Sequence, residues 1–117
     1  MATIFAATTL DLTREQRKEL SDALIEDLGT MYKHALAFHL TQVPRENCRG
    51  DSLDQTTFFV CVPPYIDIDK KRQTIELLHN TMVRMTGDHG PLKNIVLFQY
   101  HDDEGVGKHG ELFADIK

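Results

Sequence analysis

The chain has no tryptophan, only four prolines and two cysteines among 117 residues, and no excess of positive charge. Each shortage closes a route. Cys48 stands in a polar loop and Cys61 in an apolar run, so the pair has neither zinc-ligand spacing nor the density of a disulfide scaffold. Both are expected to be free thiols, with Cys48, next to Arg49, the more exposed and Cys61 a small buried hydrophobe. Thirteen Lys and Arg against 18 Asp and Glu give a formal charge of −5, which argues against nucleic acid or an anionic membrane as partner. No apolar run approaches the roughly 18 residues of a membrane span, and "MATIFAATTLDL" lacks the basic flank and apolar length of a secretory signal. A cytoplasmic address is the expectation. The six histidines show no i, i+4 pair on a helix, so no metal site is expected, and no motif calls for a cofactor. Small molecules or proteins remain as partners.

What is present is enough apolar material, 41% of the chain, for one domain spanning residues 1–117. Strand and helix patterns take turns. Residues 2–8 are short, apolar and rich in Thr, Ile and Phe; Thr13 and Gln16 then form a capping box ahead of Leu20, Ala23, Leu24 and Leu28, with Gly29 as the stop. "HALAFHLTQV" reads as a strand with Leu36, Phe38 and Leu40 on one face, ended by Pro44. After "PRENCRGD" comes the third strand pattern, "TTFFVCVPPY". Asp69 is the expected N-cap of a second helix carrying Ile75, Leu78, Met82 and Met85 on one side and closed by Gly87. "NIVLFQY" makes the fourth strand.

This order is strand, helix, strand written twice. A shift of 58 lays Leu20 on Leu78, Leu24 on Met82, Ile25 on Val83 and Gly29 on Gly87. A shift of 60 lays Phe38 on Phe98, His39 on Gln99, Gly50 on Gly110 and Asp51 on Glu111. We read an internal duplication, residues 1–54 and 55–117. Two βαβ units with right-handed crossovers predict an α/β fold: a four-stranded sheet with both helices on one face. The other face then carries too much apolar surface to stay wet and is expected to pack against copies of the same chain.

The chain ends in a strand, a charged turn and "VGKHGEL". Val106, Gly107, Gly110, Glu111 and Leu112 of this ending resemble the terminal hairpin of the 4-oxalocrotonate tautomerase family, and "VPREN" followed by Gly50 is similar to the loop closing the first unit in two-unit members. The doubled unit at this length resembles the macrophage migration inhibitory factor-like branches of that superfamily. The resemblance implies a homotrimer hooked together by hairpins. It also implies a catalytic N-terminal proline of depressed pKa acting as general base or acid, and arginines that grip carboxylates. Ala2 stands where that proline belongs, and no arginine occupies the pre-helix turns Asp11-Leu12-Thr13 and Asp67-Ile68-Asp69 or the strands.

The candidate catalytic groups are therefore the amines of Ala2 or Met1 and the imidazole of His39. Arg45, Arg49, Gln99 and Val106 are candidates for substrate binding. Plainer readings stand beside some of them: solvated loop charges for the arginines and a hydrogen-bonded core residue for His39. Two functions follow. One is a tautomerase, isomerase or hydratase of small enol or keto acids; the other is a catalytically silent homotrimer that binds a ligand or protein partner through the same pocket. Both require self-assembly, so light scattering is expected to return three times the chain mass; the mass of a single chain would contradict either.

Overall fold

The computed structural model describes residues 2–116. β1 (Ala2–Thr8) alternates strictly, with Ala2, Ile4, Ala6 and Thr8 buried and Thr3, Phe5 and Ala7 on the opposite side. α1 (Arg14–Gly29) starts at the expected capping box: the Thr13 hydroxyl accepts from the Gln16 amide, and the Gln16 side chain accepts from the Thr13 amide. Gly29 is its last helical residue and Thr30 the cap, one position beyond the expected stop. β2 (Leu36–Gln42) runs parallel to β1, and β3 (Thr56–Val62) pairs antiparallel with β1. α2 (Ile68–Thr86) leads to β4 (Asn94–Tyr100), parallel to β3. The sheet order is β2-β1-β3-β4, so each half is a βαβ unit and the two join through β1 and β3. Aligned end to end, β2 and β4 correspond at a shift of 58, the shift that also relates the helices. His39 thus stands at the place of Leu97, and not of Gln99 as the shift of 60 implied.

Both helices cover one face. Leu20, Leu24 and Leu28 of α1 and Leu78 and Met82 of α2 close over Ile4, Phe58 and Val60, and all eight are fully buried. Two details of α2 differ from expectation. Its N-cap is Asp67, whose carboxylate accepts from the Lys70 amide, while Asp69 already lies in the first turn. Its buried stripe is Thr74, Leu78, Thr81 and Met82, leaving Ile75 and Met85 exposed. Threonine can replace the larger residues because its hydroxyl is satisfied within the helix: Thr74 donates to the Lys70 carbonyl at 2.8 Å and Thr81 to that of Leu77 at 2.9 Å. Both then face α1 and the turn after it, Thr74 bonding Tyr32 and Thr81 bonding Asp27. Cys48 is buried, its thiol directed at the Pro44 carbonyl, contrary to the exposure expected for a polar loop.

The second face of the sheet has no covering layer among the described residues. It presents Phe5, Phe59, Ile95 and Leu97 with Ala7, Ala37 and His39, and Phe5 and Leu97 are 48% and 46% exposed. After β4 the chain turns into a hairpin of β5 (Gly107–Lys108) and β6 (Glu111–Leu112). His109 and Gly110 form its two-residue loop with φ of 52° and 79°, and a loop needing positive φ at both places explains the glycine. No described helix is long and apolar enough to cross a membrane.

Phe58→Ala is expected to lower unfolding stability by about 3–5 kcal/mol in denaturant titrations, since the cavity would open where both units meet. A second expectation concerns acid. Asp27 accepts from Thr81 at 2.6 Å and Arg84 at 2.9 Å, and these bonds hold its carboxyl below the usual range against the opposing effect of burial. Its contribution is present above the unfolded pKa of about 4 and is lost as pH falls through the lower folded value. Asp27→Asn should reduce Tm at neutral pH and flatten the loss of Tm below about pH 4.

Candidate functional site

Because β1 and β2 begin where β3 and β4 end, one end of the sheet gathers Ala2, Leu36, Val62 and Tyr100 together with the terminal hairpin. Ala2 is 1% exposed and its nitrogen donates to the Ala35 carbonyl at 2.9 Å. It borders a cavity of about 220 Å³ whose polar lining comes from Tyr32, Lys33, His34 and Lys70. Thr3, the next residue, points to the other side of the strand. There a cavity of about 480 Å³ lies between the open sheet face, with Phe5 and Cys61, and a wall of Tyr65, His101, Val106, Lys108 and Phe113. The first two residues of β1 therefore serve two cavities on opposite faces.

Lysines at this end lie on aromatic rings. The ammonium of Lys70 is 4.6 Å from the ring centre of Tyr32, that of Lys71 is 4.6 Å from Tyr100, and that of Lys108 is 4.7 Å from Phe113. Acidic residues share this end, Asp67 and Asp69 beside Lys70 and Asp103 in the larger cavity, but none of them pairs with these three lysines among the described residues. The sequence did carry a trace of this arrangement, because Lys70-Lys71-Arg72 opens a helix whose N-terminus disfavours positive charge. Helix electrostatics argue against that placement; the aromatic partners, 29 to 38 residues away in sequence, supply the compensation. Tyr32 and Lys33 had no such signal.

The residues selected from sequence are scattered. Met1 lies outside the described residues. His39 sits at the middle of β2 on the open face, stacked on Phe5 with ring centres 4.8 Å apart, on the face opposite to Ala2. Gln99 lies on that same open face beside Cys61, whose thiol points at its carbonyl oxygen at 3.6 Å. Val106 lines the larger cavity, and its carbonyl accepts from the Phe113 amide at 2.7 Å. Arg45 and Arg49 are at the far end of the sheet. Arg45 is paired with Asp54 at 2.6 Å, and Arg49 donates to the carbonyls of Glu46 and Cys48. The Arg45 bond lowers the Asp54 pKa and raises that of Arg45. Within one chain the arginines and Ala2 do not share a cavity. No group of three or more potential metal ligands occurs among the described residues.

Two other groups have protonation states set by burial. Desolvation pushes the Cys61 thiol up, which keeps it neutral, and it does the same to the Tyr32 phenol against a smaller opposing effect of the Thr74 hydrogen bond. The phenol is a hydrogen-bonding group, not an anion, at neutral pH.

No protein-family model matches the chain, and no curated protein matches it. Solved structures do. A fused 4-OT crystallised as an asymmetric trimer is 14% identical, with a TM-score of 0.81 over 96% of both chains. Malonate semialdehyde decarboxylase is 17% identical with a TM-score of 0.74, over 96% of this chain and 95% of the other. A member of the cis-3-chloroacrylic acid dehalogenase family is 9% identical with a TM-score of 0.71, over 94% and 82%. The chain has the tautomerase-superfamily fold. At these identities the tautomerase fold, with its paired βαβ units, is what the likeness establishes; of the proteins that share it, malonate semialdehyde decarboxylase has decarboxylase and hydratase activities.

A neutral, partly buried thiol is a slow nucleophile. Cys61 should therefore be alkylated by iodoacetamide at pH 8 more slowly than a free cysteine in the unfolded chain, as followed by peptide mass spectrometry. Equal rates would contradict the desolvated environment.

Proposed function

We propose that the protein is a homotrimeric proton-transfer enzyme acting on small enol or keto acids, with the N-terminal amine of Ala2, exposed by removal of Met1, as its base. The observation that carries this reading is the position of the Ala2 nitrogen: buried at the start of β1, bordering a cavity whose lining has two lysines and no carboxylate. A free α-amine titrates near about 7.7–8 in water. Burial and neighbouring ammonium groups both disfavour its charged form and move that value down, toward the range where a base works at neutral pH. The Ala35 carbonyl, 2.9 Å away, would orient the amine through one of its hydrogens. Such an amine takes the O–H proton of an enol, leaving an enolate, and returns a proton to its α-carbon to give the ketone. Trimer assembly is supported by the uncovered apolar sheet face and by the fused 4-OT proteins of the same fold, which are trimers.

The second reading, a silent trimer that binds a ligand or protein partner, draws on one observation. The Ala2 nitrogen makes the hydrogen bond of an ordinary strand amide, and no arginine reaches its cavity.

Phenylpyruvate or 2-hydroxymuconate, followed at the enol absorbance band, separates the two. Loss of the band is expected to exceed buffer, with a rate that rises as pH passes through the amine pKa, in protein whose intact mass lacks Met1. Ala2→Pro should raise the rate, since a processed proline keeps one N–H to donate to Ala35. No rate from either protein favours the silent trimer.

A further inference from the structure

The cavity beside Ala2 has an unusual support. Lys70 makes no ion pair among the described residues, yet its ammonium rests on the ring of one buried tyrosine, which also bonds the threonine that holds the Lys70 main-chain carbonyl. The face of Tyr32 lies 4.6 Å beneath the ammonium. The Tyr32 hydroxyl is 2.7 Å from the Thr74 hydroxyl, which donates to the Lys70 carbonyl at 2.8 Å, and the Lys70 amide is fixed by Asp67 at 2.7 Å. Tyr32 itself is anchored, its amide donating to Leu28 at 2.8 Å at the end of α1. A lysine on a helix surface ordinarily explores many rotamers, and that freedom is lost whenever it binds an anion. Here the ring holds the ammonium at the cavity in advance.

We infer that Lys70 is the carboxylate-binding group of this cavity and that Tyr32 is its positioning residue, acting through the ring face, with the Thr74 bond fixing the ring in place. The inference rests on the proposed small-acid substrate, but it concerns binding and needs no turnover. Lys33 and His34 border the same cavity and add charge and hydrogen-bonding capacity without an aromatic support. The π face suits this task better than a carboxylate partner: it attracts the ammonium without neutralising it, so the charge stays available to a ligand. The neutral phenol also fits, because a tyrosinate there would compete with the ligand for Lys70.

The test uses benzoate and its uncharged counterpart benzamide, titrated calorimetrically into the full-length protein at low salt. Wild type should bind benzoate about tenfold or more tightly than benzamide, the difference expected of one charge-assisted contact. Lys70→Met should remove that preference, and Lys70→Arg should restore most of it because guanidinium also stacks on tyrosine. Tyr32→Leu should weaken benzoate several-fold while leaving benzamide unchanged, whereas Tyr32→Phe, which keeps the ring, should hold most of the preference. Thermal melts of each variant provide the control. If Tyr32→Leu lowers Tm but leaves the benzoate to benzamide ratio intact, Tyr32 is only a core residue. Equal binding of the two ligands by wild type, no binding at millimolar concentration, or a preference that survives Lys70→Met would overturn the assignment. A chain that shows the lysine-dependent preference but does not turn over phenylpyruvate would retain this inference and lose the proposed reaction.

Discussion

Antiparallel pairing of β1 with β3 joins two βαβ units that could not be stable apart. Six residue pairs, from Thr3 with Cys61 to Thr8 with Thr56, bring both helices to the same side and bury Ile4, Phe58 and Val60 beneath them. A single unit would expose the helix stripe or the inner sheet face, and two strands under one helix bury too little apolar area to offset chain entropy. At the end of this seam the Thr8 and Thr56 hydroxyls bond each other at 2.9 Å, so the polar atoms it buries are satisfied.

The same pairing fixes where chemistry can occur. Antiparallel joining sends the start of β1 and the end of β4 to one end of the sheet, so the first residues of the chain and the terminal hairpin become neighbours. That end carries three lysines laid on Tyr32, Tyr100 and Phe113. At the opposite end Arg45 is matched by Asp54, and Arg49 and Lys93 donate to main-chain carbonyls. A bare sheet face, flanked by these two ends, presents Phe5, Phe59 and Leu97 to a further layer. The stacking of His39 on Phe5 belongs to that face.

The helices show how polar residues can build a core. Thr74 and Thr81 take the buried places that Ile75 and Met85 were expected to fill, and each hydroxyl serves both its own helix and a partner beyond it. One consequence is local: the Tyr32, Thr74 and Lys70 arrangement exists because a threonine, not an isoleucine, faces the turn after α1. The stripe of Ile75 and Met85 is correspondingly left outward.

Element order, the capping box at Thr13, the glycine stop at Gly87 and the two βαβ units were legible in the residues themselves, because each depends on period, cap or turn chemistry within a few positions. The displaced N-cap at Asp67 and the burial of Cys48 were not, since neighbouring aspartates cap equally well and loop burial depends on what folds over it. The candidate site divides along the same line. Ala2 follows from its position at the head of β1, but its lysines do not: Lys70 meets Tyr32 across 38 residues only when α2 is laid beside the end of α1. Arg45 and Arg49, attractive by residue type, were carried to the far end by the parallel run of β2. Sequence alone determined the two βαβ units and the order of their elements; the tertiary fold decided which charges meet, because contacts between distant segments are set by sheet register and helix placement, not by spacing along the chain.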